Sequence, residues 1–215
     1  MASNLKKKTD KTLIISYDVQ SKTDSKYIRA LVAITPATDK SLPPGSVFAT
    51  PEILNVINQE KVFQQDFSIF NQSYYELGVP FREPDGQIVF YIVGLPTNST
   101  LNRITTTRYA IGKIIEYVYG LYNLFKNNKR NKFTYYVKSQ SSSQYVAVIT
   151  TVENENGQLT TGDSISNTKV VNALNNGKEF HGNNINVSGR SYQALYKPYK
   201  LFHTNIVLAS YILNQ

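Results

Sequence analysis

The sequence predicts an α+β fold, in which one long amphipathic helix (about 98–127) packs across a mostly antiparallel sheet. Helical periodicity is sustained in only one long segment. Alternation typical of strands occurs on both sides of that segment, and no run of β-α-β units indicates a parallel sheet. No internal repeat is apparent. We expect a flexible basic arm at residues 1–11, followed by a single domain at 12–215.

The first elements are two predicted strands, residues 12–19 and 27–35, which we expect to pair as an antiparallel hairpin. In the first strand, Leu13, Ile15, Tyr17 and Val19 alternate with the polar residues Thr12, Ser16 and Asp18, a periodicity typical of a strand.

A short helix is predicted to begin at Pro51, because proline suits the first turn of a helix. The apolar residues of 52–77 occur at mixed spacing, which we interpret as one or two short helices. Residues 78–86 are predicted to form a loop that ends in the turn Pro84-Asp85-Gly86. A strand is expected at 87–93.

The long helix has one apolar stripe, whose residues recur at steps of three, four and seven. Thr97, Asn98 or Ser99 could cap its N-terminus, and Asn127 and Asn128 could end it. The stripe consists of Ile104, Ile111, Ile114, Ile115, Val118, Leu121, Tyr122 and Phe125.

Residues 133–138 and 144–152 are predicted to form a second hairpin. A short helix is expected at 168–174. Residues 182–189 are either irregular or a short strand, and the apolar residues of 201–213 fit a helix as well as a strand.

The composition is unusual in its polar residues. Charged residues make up 18% of the chain, while tyrosine occurs 16 times and cysteine is absent. Tyrosine is favoured on surfaces that a partner covers, although an AT-rich genome would enrich the same residue types without a functional cause. The absence of cysteine excludes disulfides, thiolate metal sites and thiol nucleophiles.

The net charge of +8 lies almost entirely in residues 108–215. Four cations follow or end the long helix, and aromatic residues come directly after them. Cations bind phosphates and rings stack on bases, so this basic patch is a candidate nucleic-acid site; basic residues also stabilise a helix C-terminus without any partner. The patch consists of Lys126, Lys129, Arg130 and Lys132.

No motif for catalysis, a cofactor or a metal is found, so the sequence predicts neither an enzyme nor a cofactor-binding protein. His181 and His203 lack partners at metal-ligand spacing. A further hypothesis is an enzyme whose active site is assembled from distant carboxylates, such as Glu76, Asp85 and Glu116. No apolar window is long enough for a membrane span.

These observations favour a structural virion protein, a coat, connector or tail component of a virus or bacteriophage that acts by self-assembly. Its expected partners are further copies of itself and other particle proteins, with nucleic acid as a possible contact, and its expected location is the virion after synthesis in the host cytoplasm. The alternative is a nucleic-acid-binding accessory protein that uses the basic patch.

Overall fold

The computed structural model describes residues 14–34, 43–48, 51–69, 71–83, 86–97, 102–128, 131–201 and 204–214. The predicted arm at residues 1–11 lies outside these ranges. Within them, the predicted fold class is confirmed: the chain is α+β, its strand pairs are antiparallel and the long helix packs against sheet.

The described residues form two sheets rather than one. The first sheet has the strand order β3-β2-β1-β6-β5-β4, and the second has the order β8-β7-β11-β10-β9. The elements, in chain order, are β1 (Ile14–Gln20), β2 (Tyr27–Ile34), β3 (Val47–Phe48), α1 (Pro51–Asn58), β4 (Phe63–Ile69), β5 (Gln72–Arg82), β6 (Ile88–Pro96), α2 (Arg103–Lys126), β7 (Lys132–Lys138), β8 (Tyr145–Thr150), α3 (Thr168–Asn175), β9 (Phe180–Val187), β10 (Arg190–Leu201) and β11 (Thr204–Leu213).

The two halves of the chain share one topology. Each half begins with a hairpin, β1–β2 or β7–β8, continues through a short helix, and ends in a meander of three strands. In each half the last strand of the meander pairs with the first strand of the hairpin, as β6 does with β1 and β11 with β7. The fold therefore repeats, although no repeat is visible in the sequence.

Helix α2 connects the halves and packs between their sheets. Ala110, Ile114 and Val118 are buried at steps of four along one side. They share a core cluster with Tyr17 of the first sheet and Val148 of the second. A core of this kind holds both halves in one packed body.

The long helix is shorter than predicted at its N-terminus. It begins at Arg103, where the Asn102 side chain accepts a hydrogen bond from the Thr105 backbone N–H at 3.0 Å. The predicted caps Asn98 and Ser99 lie outside the described residues. Ile104, which we assigned to the apolar stripe, is 68% exposed, because it lies in the first turn, ahead of the buried positions.

Of the one or two short helices predicted in 52–77, only α1 is present among the described residues. Residues 63–69 form β4, and β5 continues through the predicted loop as far as Arg82. Phe63 and Phe67 are four residues apart, a spacing that fits one face of a strand as well as one face of a helix. Residues 63–69 form a strand because they pair with β5. The undecided segments 182–189 and 201–213 contribute β9 and β11.

Candidate functional site

One face of the second sheet carries buried tyrosines. Side chains alternate along each strand, so Tyr136 of β7, Tyr196 of β10 and Tyr211 of β11 reach the same face and are all buried. The Tyr136 and Tyr211 hydroxyl oxygens lie 2.7 Å apart, and the Tyr196 and Tyr211 rings meet edge to face at 5.6 Å. These hydroxyls form a neutral polar floor inside an otherwise apolar face.

Burial keeps the tyrosine floor uncharged. It raises the pKa of Tyr196 to about 12 and raises the pKa values of Tyr136 and Tyr211 as well. The three hydroxyl groups therefore stay neutral well above the physiological pH range.

Residues 151–167, here called the cover segment, pass from β8 to α3. Backbone hydrogen bonds fasten the segment to β8: Gly162 N–H donates to the Ala147 carbonyl at 2.7 Å, and Ala147 N–H donates to the Asp163 carbonyl at 2.8 Å. At its end, the Asn167 side chain accepts from the Lys169 and Val170 N–H groups and caps α3.

A cavity of about 530 Å³ lies between the tyrosine floor and the cover segment. We call it the tyrosine cleft. Tyr136 and Tyr196 line its floor, the cover segment supplies Thr160 and residues 163–167, and the β9–β10 turn supplies 186–188. Its size lies within the range of small-molecule sites, about 300–1,000 Å³.

Among the described residues that line the tyrosine cleft, Lys22 is the one cation and Asp163 the one anion. Lys22 Nζ lies 3.0 Å from Asp163 Oδ1, and Ser188 Oγ donates to Asp163 Oδ2 at 2.9 Å. Both charged side chains remain accessible, with exposed fractions of 50% for Lys22 and 35% for Asp163. A bound molecule could therefore contact either charge without unfolding the cover segment.

Both halves of the chain build the cleft. Lys22 and Thr23 come from the β1–β2 turn, where Lys22 N–H donates to the Gly162 carbonyl at 3.0 Å. The hydroxyl oxygens of Thr23 and Ser164 lie 2.9 Å apart. The first half thus fixes the position of the cover segment over the second sheet.

The two described residues of the predicted basic patch, Lys126 and Lys132, lie outside the tyrosine cleft. Lys126 is exposed in the last turn of α2, and Lys132 is exposed at the start of β7, while Lys129 and Arg130 lie outside the described residues. The aromatic residues assigned to base stacking are packed within the protein. The Phe133 ring stacks on Phe125 at 5.5 Å, Tyr135 packs against the core and Tyr136 is buried. Nucleic-acid binding by the four cations stays a prediction.

Two of the three carboxylates named for an assembled active site, Glu76 and Glu116, are described and have separate surroundings. Glu76 is buried in β5 and accepts a hydrogen bond from Gln65, whereas Glu116 is exposed on α2 and pairs with Lys113; Asp85 lies outside the described residues. Within the described ranges, no group of three or more His, Asp and Glu residues is placed to hold a metal ion. No described helix is both long and apolar enough to cross a membrane.

Residues 114–212 match the family described as single cache domain 3. The matched segment is slightly less than half of the chain and contains about half of α2, the cover segment and the second sheet apart from Leu213. No curated protein matches the sequence.

Among solved structures, the chain is similar to the periplasmic sensory domain of the Campylobacter jejuni chemoreceptor Tlp1, with 11% identity, 94% of this chain and 72% of that chain covered, and a TM-score of 0.34. It is also similar to the ligand-binding domain of the Pseudomonas fluorescens chemoreceptor CtaA in complex with L-leucine, with 10% identity, 99% and 74% covered, and a TM-score of 0.23. The Escherichia coli DhaR(N)-DhaL complex matches with 7% identity, 97% and 82% covered, and a TM-score of 0.35. These scores are too low to carry an argument.

The match to a cache domain contradicts the prediction of a virion protein, together with its predicted particle partners and its predicted location in a virion. That prediction took the many tyrosines as contact residues for neighbouring subunits. Nine of the 16 tyrosines are instead buried in the two sheets. The residue type that suggested assembly therefore forms the core and the floor of the cleft.

Proposed function

We propose that the chain is a sensory domain that binds a small polar molecule in the tyrosine cleft. The observation that carries this proposal is the accessible pair of Lys22 and Asp163 above a neutral tyrosine floor. The cache match supports it, because the matched residues contain the floor and the cover segment.

The paired charges define the ligand class. A ligand with an ammonium and a carboxylate a few bonds apart would place its ammonium on Asp163 and its carboxylate on Lys22. The ion pair between Lys22 and Asp163 would then be replaced by two ion pairs with the ligand. Ser188 already donates to Asp163 and holds the carboxylate in position. The remaining lining side chains, such as Asn167 and Asn186, are mostly neutral and offer hydrogen bonds. We therefore expect amino acids or similar zwitterions to bind.

Asp163→Asn should weaken binding of such a ligand by about tenfold or more, because it removes the charge from a charge-assisted hydrogen bond. Isothermal titration calorimetry with a panel of amino acids measures the change. Lys22→Met should weaken ligands that carry a carboxylate but not the corresponding amines. Asp66→Asn is the matched control, since Asp66 is an exposed carboxylate in β4, and should leave affinity unchanged. Equal affinity in the Asp163 and Asp66 variants would reject the assigned site.

A further inference from the structure

A second cavity lies between the two halves, on the opposite side of the cover segment from the tyrosine cleft. It measures about 370 Å³ and is bounded by the last turns of α2, by β1 and by β8. We call it the helix cavity. Leu159 and Thr161 face it, while Thr160 between them faces the tyrosine cleft.

The helix cavity is large enough for a small molecule and opens to solvent beside its exposed lining residues Asn123 and Lys126. Here the surrounding core is well packed, since Tyr17, Val118 and Val148 belong to one buried cluster. A space of this volume beside such a cluster is within the size range of small-molecule sites.

The lining of the helix cavity defines an apolar, aromatic body for that ligand. Val118, Val148 and Leu159 supply aliphatic surface, and the rings of Tyr119 and Tyr122 are partly buried along the helix wall. Aromatic rings favour stacked or edge-to-face contacts with tyrosine. A flat ring system would suit both the tyrosine rings and the aliphatic side chains of this lining.

The charge at the cavity indicates an anionic group. Lys126 Nζ lies 5.7 Å from the centroid of the Tyr122 ring and forms no ion pair with any residue that the structure describes. Glu83, which also lines the cavity, already has an interaction of its own. Lys126 is therefore the charged group of this lining that is available to bind a ligand.

We propose that the helix cavity binds an aromatic carboxylate, with its rings against Val118 and Leu159 and its carboxylate on Lys126. This site is separate from the tyrosine cleft and does not depend on the function proposed for that cleft.

The test uses 2-naphthoate and its uncharged analogue 2-naphthamide as probes, titrated into the full chain by calorimetry. We expect 2-naphthoate to bind more tightly than the amide. Lys126→Gln should reduce the affinity for 2-naphthoate by up to about fivefold, the effect of an exposed ion pair, and leave the affinity for the amide unchanged. Asp163→Asn should affect neither probe, which separates this site from the tyrosine cleft.

A blocking variant locates the binding. Asn123 is exposed and lines the cavity, so Asn123→Trp should fill its entrance and abolish binding of 2-naphthoate. Leu124→Trp is the matched control, because Leu124 is the next residue, is 68% exposed and does not line the cavity. Absence of binding at probe concentrations up to about 1 mM, or equal affinity in the two tryptophan variants, would overturn the proposal.

Discussion

Gly162→Ala is expected to lower the free energy of unfolding by about 3 kcal/mol or more, from two separate causes. The φ angle of Gly162 is +83°, a conformation that costs a residue with a side chain about 1–2 kcal/mol. In addition, a Cβ atom at this position would lie 2.5 Å from the Gln20 carbonyl oxygen and 2.9 Å from Gln87 Nε2. The cover segment would have to move away from the first half of the chain.

Gly157→Ala is the matched control for this result. Gly157 also lies in the cover segment and has a φ angle of +78°, but no atom lies within 4 Å of a Cβ placed there. This variant should lose only the conformational term, about 1–2 kcal/mol. Urea unfolding followed by circular dichroism measures both variants. Equal losses would show that close packing of the cover segment against the first half contributes nothing to stability.

Asp18→Asn is expected to make the chain more stable at pH 8 and to flatten its stability between pH 5 and pH 8. Asp18 is fully buried in the first sheet. Its Oδ2 accepts a hydrogen bond from Ser16 Oγ at 3.1 Å, and its Oδ1 has no hydrogen-bond partner among the residues that the structure describes. Burial raises the pKa of Asp18 to about 7, against the opposing effect of Arg29, its cross-strand neighbour. Glu76, from β5, adds to the increase.

The sign of the pH effect follows from proton binding. The unfolded Asp18 carboxyl loses its proton near pH 4, whereas the folded one keeps it up to about pH 7. The folded state therefore binds more protons in this window. The contribution of Asp18 to stability is fully present below pH 4 and is lost as pH rises through 7. The loss between pH 5 and pH 8 is up to about 3 kcal/mol.

Asparagine cannot ionise, so Asp18→Asn removes this pH-dependent loss of stability. The smaller loss that comes from Glu76 remains, because burial also raises the pKa of Glu76. Thermal unfolding at a series of pH values gives the comparison. Asp66→Asn, at an exposed carboxylate in β4, should retain the wild-type pH dependence. Parallel stability curves for wild type and Asp18→Asn would show that the buried carboxyl does not titrate in this window.

The sequence predicted those parts of the fold whose signals are local. Helix α2 was predicted because apolar residues such as Ile111, Ile114 and Val118 repeat at the helical period over many turns. The β7–β8 hairpin was found because its apolar residues alternate. Strand β4 was missed because Phe63 and Phe67 satisfy both periods, and only pairing with β5 distinguishes them.

The candidate site could not be predicted because its contacts are distant in the chain. The hydroxyls of Thr23 and Ser164 meet across 141 residues of sequence, and Lys22 and Asp163 meet beside them. In the sequence, Asp163 follows a glycine in an ordinary polar turn and has no motif around it. The repeated topology of the two halves was also hidden, since strand order depends on pairing between distant segments.

The central claim is that the tyrosine cleft is a ligand site, and a titration of the ¹⁵N-labelled chain with amino acids, followed by amide NMR shifts, tests it most directly. We predict saturable shifts for at least one amino acid, confined to the cover segment near residues 160–167, the β9–β10 turn at 186–188 and the β1–β2 turn at Lys22 and Thr23. Saturable shifts confined to other parts of the chain, or no saturable shift for any amino acid, would contradict the account.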